Sequence, residues 1–325
     1  MGTAVGPHAR PYSNLSQPVV TRVVKVESSG SCFGYAVRSD LSFRFLRESG
    51  GTSLEIREGR VEAATEGFLR EWAPPDSPVH MRLHKDPFGY HIWVEDFGWI
   101  RVELGVPRIT VPPHPDLVRR EERIWGLPTV LCLLQRGDVP LHAACVEVEG
   151  RALIFAAPGR FGKTTLAAAF AQAGYRVLGE DLVCFRPGAD PAVIPGPALL
   201  RLRRDVADMF RIRGAVEVGR DDERVHLALG EDRGTCAPVP LAGVALLLDG
   251  DTPPRLDPVP GPQAVRDLWA VSFNLPTEED RARCFAAVAR LTASTPVWHL
   301  TRRRRIDELP ATIQCLVDAV RAQSA

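Results

Sequence analysis

"LIFAAPGRFGKTTLAAAF", residues Leu153 to Phe170, decides how the rest of the chain is read. A phosphate-binding loop has the pattern G-x-x-x-x-G-K-[ST] between a buried strand and a helix. Gly162, Lys163 and Thr164 fit it, and Ala157 stands where the first Gly is expected. Leu153 to Ala156 is a short apolar run, Pro158 and Gly159 turn the chain, and "TTLAAAF" is a strong helix former. Backbone N–H groups of Ala157, Pro158-Gly159-Arg160-Phe161 and Gly162 to Thr165 that lack internal partners would converge on an anion, Pro158 contributing none. Lys163 would neutralise phosphate, and the Thr164 hydroxyl would ligate Mg²⁺. At position 157 Gly takes positive φ freely, whereas Ala there costs about 1 kcal/mol or more; the reading therefore expects a negative φ.

Outward from this loop, the text changes character twice. Residues 1–18 read as a flexible tail. Residues 19–116 are strand-like, with "VVTRVVKVES", "LSFRFL", "SLEIREG", "VHMRLHK" and "YHIWVEDFGWIRVELG" between Gly and Pro punctuation. They predict a small antiparallel β-rich domain in which Trp93, Phe97 and Trp99 serve the core. Residues 117–138 have helical spacing interrupted by Gly126 and Pro128, and form a connector. Residues 139–325 alternate strand, loop and helix, predicting an α/β layer with parallel strands. "GVALLLDGD" adds a buried strand, "RARCFAAVARLTAS" and "LPATIQCLVDAVRAQ" are late helices, and the Pro-rich "DTPPRLDPVPGP" is a loop.

The 325 residues are 45% hydrophobic and 25% charged, enough for a sizeable core. Lys plus Arg and Asp plus Glu balance at 40 each, so no global field draws the chain to nucleic acid or an anionic membrane. The seven cysteines form no C-x-x-C pair, which argues against zinc and a disulfide framework and for a reducing cytoplasm. No apolar run is long enough to span a bilayer, and the N-terminus lacks the apolar core of a signal peptide.

Leu141 to Phe185 taken together resembles the catalytic core of the HPr kinase/phosphorylase family, and more closely the peptide serine kinases of that superfamily found with lasso-peptide biosynthesis. The shared order is a histidine beginning a strand (His142), a second strand, the phosphate loop (Ala157 to Thr164), a helix ending in Gly (Gly174), and a strand closing in two acids (Glu180-Asp181). The resemblance covers roughly Pro140 to Leu309; the N-terminal half differs from that of true HPr kinases. It implies an α/β P-loop kinase domain behind a β-rich N-terminal domain, ATP or GTP with Mg²⁺, and transfer of the γ-phosphate to a serine of a precursor peptide. It also implies Glu180 as general base and Asp181 as a metal-shell acid beside Thr164, with His142 near the γ-phosphate. The family has Asp-Asp where this chain has Glu180-Asp181, and its metal-binding Glu before Arg-Gly has no clear counterpart in "FRIRGAVEVG".

Rival readings stand beside this one. Asp249 ends an apolar strand and competes as a metal-binding acid. Arg201, Arg203 and Arg204 could contact phosphate or an acidic peptide, or form a solvated edge. The run Arg302 to Arg305 reads first as a solvated turn. A nucleotide-binding scaffold without turnover and a small-molecule kinase remain alternatives, and a homo-oligomer is compatible with all of them.

Overall fold

The computed structural model describes residues 30–48, 50–73, 80–221, 223–230, 234–273 and 276–323. The expected tail and the strand expected in "VVTRVVKVES" lie outside them. The first half folds into one eight-stranded sheet: β1 (Ser31–Cys32), β2 (Tyr35–Ser39), β3 (Thr52–Glu58), β4 (Phe68–Trp72), β5 (Met81–Lys85), β6 (Gly89–Val94), β7 (Gly98–Glu103) and β8 (Arg108–Val111), in the order β1-β2-β3-β8-β7-β6-β5-β4. Alternation explains its faces: Leu54 and Ile56 of β3 and Ile109 and Val111 of β8 are fully buried, with polar residues between them.

The sheet corrects the expectation of a purely antiparallel domain. β2 pairs β3 and β3 pairs β8 in parallel. Alternation reports which face is buried and is silent on strand direction. "LSFRFL" is not a strand either. Its backbone donors are taken by a side chain instead, the N–H groups of Arg44 and Phe45 donating to the Glu121 carboxylate at 2.6 and 2.9 Å. Trp93 and Trp99 face each other across β6 and β7 but stay partly exposed; His80 and His84 meet them edge-on, and only Phe97 is buried.

The connector forms two helices, α1 (Leu117–Ile124) and α2 (Leu127–Arg136). Asp116 Oδ1 caps α1 by accepting from Arg119 N, and Gly137 ends α2 with φ 89°. Beyond them lie β9 (Val139–Leu141), β10 (Ala143–Val148), β11 (Arg151–Ala156), α3 (Lys163–Gln172), β12 (Val177–Gly179), β13 (Val183–Arg186), β14 (Ala192–Ile194), β15 (Leu199–Arg203), α4 (Arg204–Ala207), β16 (Val216–Arg220), β17 (Arg224–Ala228), β18 (Val239–Asp249), β19 (Arg255–Pro258), α5 (Gly261–Ala270), α6 (Glu278–Ser294), β20 (Val297–Arg302) and α7 (Leu309–Ala322).

The central sheet is mixed, where parallel strands were expected. β11, β18 and β20 run parallel, but β10 joins β11 as a hairpin through Glu149 and Gly150, both at positive φ. β19 lies inside the piece read as a Pro-rich loop, and pairs antiparallel with β20 with Pro258 at its end. β15, β17 and β16 make a separate three-stranded sheet.

Strand β11 shows why its sequence is continuously apolar. Leu153 and Phe155 face α3 and α7, packing with Leu166, Phe170 and Leu316. Ile154 and Ala156 face the opposite way, into a cluster continuous with Leu54, Ile92 and Leu133 of the N-terminal half. A strand covered on both faces has no polar side to show. The same double cover fixes the C-terminal end of β11, from which the loop springs.

Candidate functional site

The loop after β11 turns through two left-handed residues, Arg160 (φ 66°) and Gly162 (φ 80°). Ala157 is buried and is not among the residues with positive φ, so the missing glycine leaves no strain there. Gly162 is the N-cap of α3 and offers no side-chain cap, which leaves the first-turn N–H groups open for an anion. Lys163 is buried and curls back over the turn, its Nζ donating to Ala157 O at 2.8 Å and Pro158 O at 3.1 Å. Burial pushes its pKa down, with Asp181 and Glu180 opposing.

Glu180 and Asp181 follow β12 and point to different partners. The Thr164 hydroxyl donates to Glu180 Oε1 at 2.7 Å. Glu180 is buried, whereas about half of the Asp181 side chain is exposed. Asp181 has φ 68°, a conformation unfavourable for most side chains. That turn carries its carboxylate between His142 Nε2 at 3.1 Å and Arg201 Nη2 at 2.8 Å. Loss of solvent would raise the Asp181 pKa; Arg201, then His142, outweigh it and hold the carboxyl well below its usual range. Arg201 also donates from Nε to Glu180 Oε2 at 3.0 Å. The His142 ring stacks on Phe273, with centroids 6.0 Å apart.

The fold thus gathers Thr164, Glu180, Arg201, Asp181 and His142 into one chain of contacts beside the loop. Of the three arginines in "LLRLRRD", only Arg201 reaches it: Arg203 pairs with exposed Asp205, and Arg204 opens α4. Asp249 stands apart, on Arg304 Nε at 3.0 Å.

Two further groups were not legible. Glu122, on α1, lies 4.0 Å from Arg201 Nε and 3.7 Å from His226 Nε2, and burial raises its pKa. Nothing in the local text of α1 singles it out. The second is Arg302 at the head of the basic run, which is solvated as expected at Arg304 and Arg305 but not at its first residue. Arg302 ends β20 and is 3% exposed, with Nη2 donating to Phe161 O at 3.4 Å. Arg304 donates from Nη1 to Arg160 O at 2.8 Å, with its guanidinium 5.6 Å from the Phe161 ring. Arg302 stands in register with Asp249 at the end of the parallel pair β18 and β20.

Among the described residues no cluster of three or more His, Cys, Asp or Glu side chains is arranged to hold a metal. No helix among them is long and apolar enough to cross a membrane. No family model matches the chain, and no curated protein does. Among solved structures, the HPr(Ser) kinase/phosphatase from Coxiella burnetii is similar over 57% of this chain and 97% of its own, with 11% identity and a TM-score of 0.33. In its own geometry the chain is an α/β protein in which a buried parallel strand, a phosphate-loop turn and an uncapped helix N-terminus face a pair of acids.

Proposed function

We propose that this chain is an ATP- or GTP-dependent kinase that transfers the γ-phosphate to a serine hydroxyl, in keeping with the sequence resemblance to peptide serine kinases. One observation carries the reading: the contact chain Thr164–Glu180–Arg201–Asp181–His142 begins at the open N-terminus of α3, directly after the Gly-Lys-Thr turn. Bound Mg²⁺-nucleotide would supply the transferable phosphoryl group and neutralise part of its charge. The N–H groups of Gly162 to Thr165 and the Lys163 ammonium would hold its phosphates, once Lys163 leaves the loop carbonyls. The acceptor is a serine of a precursor peptide, reached from the side of exposed Asp181.

The geometry favours a division of labour opposite to the one the sequence resemblance implies. Glu180 already shares a hydrogen bond with Thr164, so it is the acid beside the metal-ligating hydroxyl. Asp181 is the exposed acid that a substrate hydroxyl can approach, and it becomes the general base. A carboxylate held at low pKa accepts a proton poorly. Arg201 must therefore swing from Asp181 to the incoming phosphoryl group, which frees the base as the substrate arrives.

Paired variants test this. For Asp181→Asn, nucleotide affinity should persist while single-turnover transfer to a serine peptide falls by roughly 10² to 10⁴. For Glu180→Gln, added Mg²⁺ or Mn²⁺ should recover part of the rate. The reverse pattern would restore Glu180 as base. Nucleotide binding without transfer by the parent protein would favour the scaffold alternative, and full activity in folded Lys163→Ala would sink the reading.

A further inference from the structure

The guanidinium of Arg302 has no carboxylate within ion-pair reach among the described residues. Its residue is 3% exposed, its Nε has no hydrogen-bond partner, and no ion pair forms on it among the described residues. Its one hydrogen bond is the long contact to Phe161 O. Burial pushes its pKa down, with Asp249 opposing. Taking a charge out of water without a partner is costly, so a buried guanidinium left this bare invites one.

The position says which ligand. A Cβ built on Gly162 would meet Arg302 Nη2 at 3.0 Å, so the guanidinium lies against the residue that starts α3. Gly162 is therefore needed twice, for its left-handed φ and for the space that the guanidinium fills. Arg304 fastens the outer part of the same turn through Arg160 O and the Phe161 ring. Three cations, Lys163, Arg302 and Arg304, thus reach one loop from two directions. Lys163 comes from α3 and the arginines from β20, more than a hundred residues later. Of the three, Arg302 is the one with a buried donor, Nε, left without a partner among the described residues.

We propose that Arg302 is a phosphate-binding residue that completes the loop, donating to the phosphate chain of the nucleotide from the side opposite Glu180 and Asp181. This deepens the kinase reading and rests on it. The planar fork of arginine suits phosphate oxygens, and its charge cannot be lost at working pH. A fixed cation here offsets charge on the phosphates that Lys163 alone would leave exposed. Arg304 keeps the turn closed on that cation.

The experiment measures calorimetric affinity of the full chain for ATP, inorganic tripolyphosphate and inorganic phosphate, with melting temperature in parallel, for the parent, Arg302→Met, Arg302→Lys and Lys163→Ala. Arg302→Met should weaken ATP and tripolyphosphate alike by about tenfold to a hundredfold, the loss of one charged hydrogen-bonding group. Its melting temperature without ligand should be unchanged or higher, because a costly buried charge has gone. Arg302→Lys should retain part of the affinity, and it carries the test if the Met variant does not fold. Parental affinity for tripolyphosphate in a folded Arg302 variant would overturn the proposal. So would a lower melting temperature with affinity intact, which marks a structural role. Weakening for inorganic phosphate but not for tripolyphosphate would also overturn it, pointing to the product side. If the parent binds neither ATP nor tripolyphosphate, the kinase reading falls with the proposal. If Lys163→Ala binds normally while Arg302→Met does not, the loop reading alone fails.

Discussion

Arg201, half-buried, and Arg302, buried, both stand near the turn before α3, but only Arg201 is met by carboxylates. Glu180 and Asp181 hold it at 3.0 and 2.8 Å, and Glu122 stands 4.0 Å away. Arg302 has one carbonyl at 3.4 Å. Another charge, Glu121, is intermediate: it is 1% exposed and forms no ion pair among the described residues, yet it accepts from two backbone N–H groups and from Trp125 Nε1. The contrast separates two uses of a buried charge. Where the protein supplies the partners, the charge organises the fold or sets the ionisation of neighbours. Where it does not, the charge is open to a partner from outside, which is the role proposed for Arg302.

The comparison breaks first at Arg201. Arg201→Gln leaves two adjacent acids without their counter-ion, and should destabilise the protein by about 3–5 kcal/mol in urea unfolding. It should also raise the Asp181 pKa toward the ordinary carboxylate range, because its main opposing charge is gone. A stability equal to the parent's would mean that Arg201 and Arg302 are not different in kind.

Glu121 sharpens the contrast through pH. Burial outweighs its hydrogen bonds and lifts its pKa from 4.5 to about 7. The folded-state value lies above the unfolded one, so its contribution is complete below pH 4.5 and is lost as pH rises through about 7. The stability advantage of the parent over Glu121→Gln should therefore shrink between those limits, by on the order of 3 kcal/mol. A difference that stays flat with pH would show that the three donors fully compensate the charge.

The smallest effect is expected in the loop against which Arg302 lies. Since Ala157 does not use positive φ, Ala157→Gly gains no relief from strain and loosens the unfolded chain, lowering stability by about 0.5 kcal/mol. Nucleotide affinity should change only modestly. A large rise would show that Ala157 distorts the turn against which Arg302 rests.

Local text was enough for the strand–turn–helix unit. The apolar run of β11, the turn residues and the alanine-rich α3 each carry their own conformational preference, and Gly162-Lys163-Thr164 falls at their junction. The place of Glu180-Asp181 was legible because they come directly after a short strand soon after the helix. Strand direction was not, because period-two alternation is the same in parallel and antiparallel pairs; β2, β3 and β8 needed their hydrogen-bond partners to be known. The fate of each charge was also beyond the sequence. "LRLRR" and "TRRRR" look equally basic, yet Arg201 is drawn into the acids by β15 and Arg302 is buried bare by β20, because solvation and pairing depend on neighbours distant in the chain. Sequence determined where the strand, turn and helix meet; only the tertiary structure decided which cations and acids surround that junction.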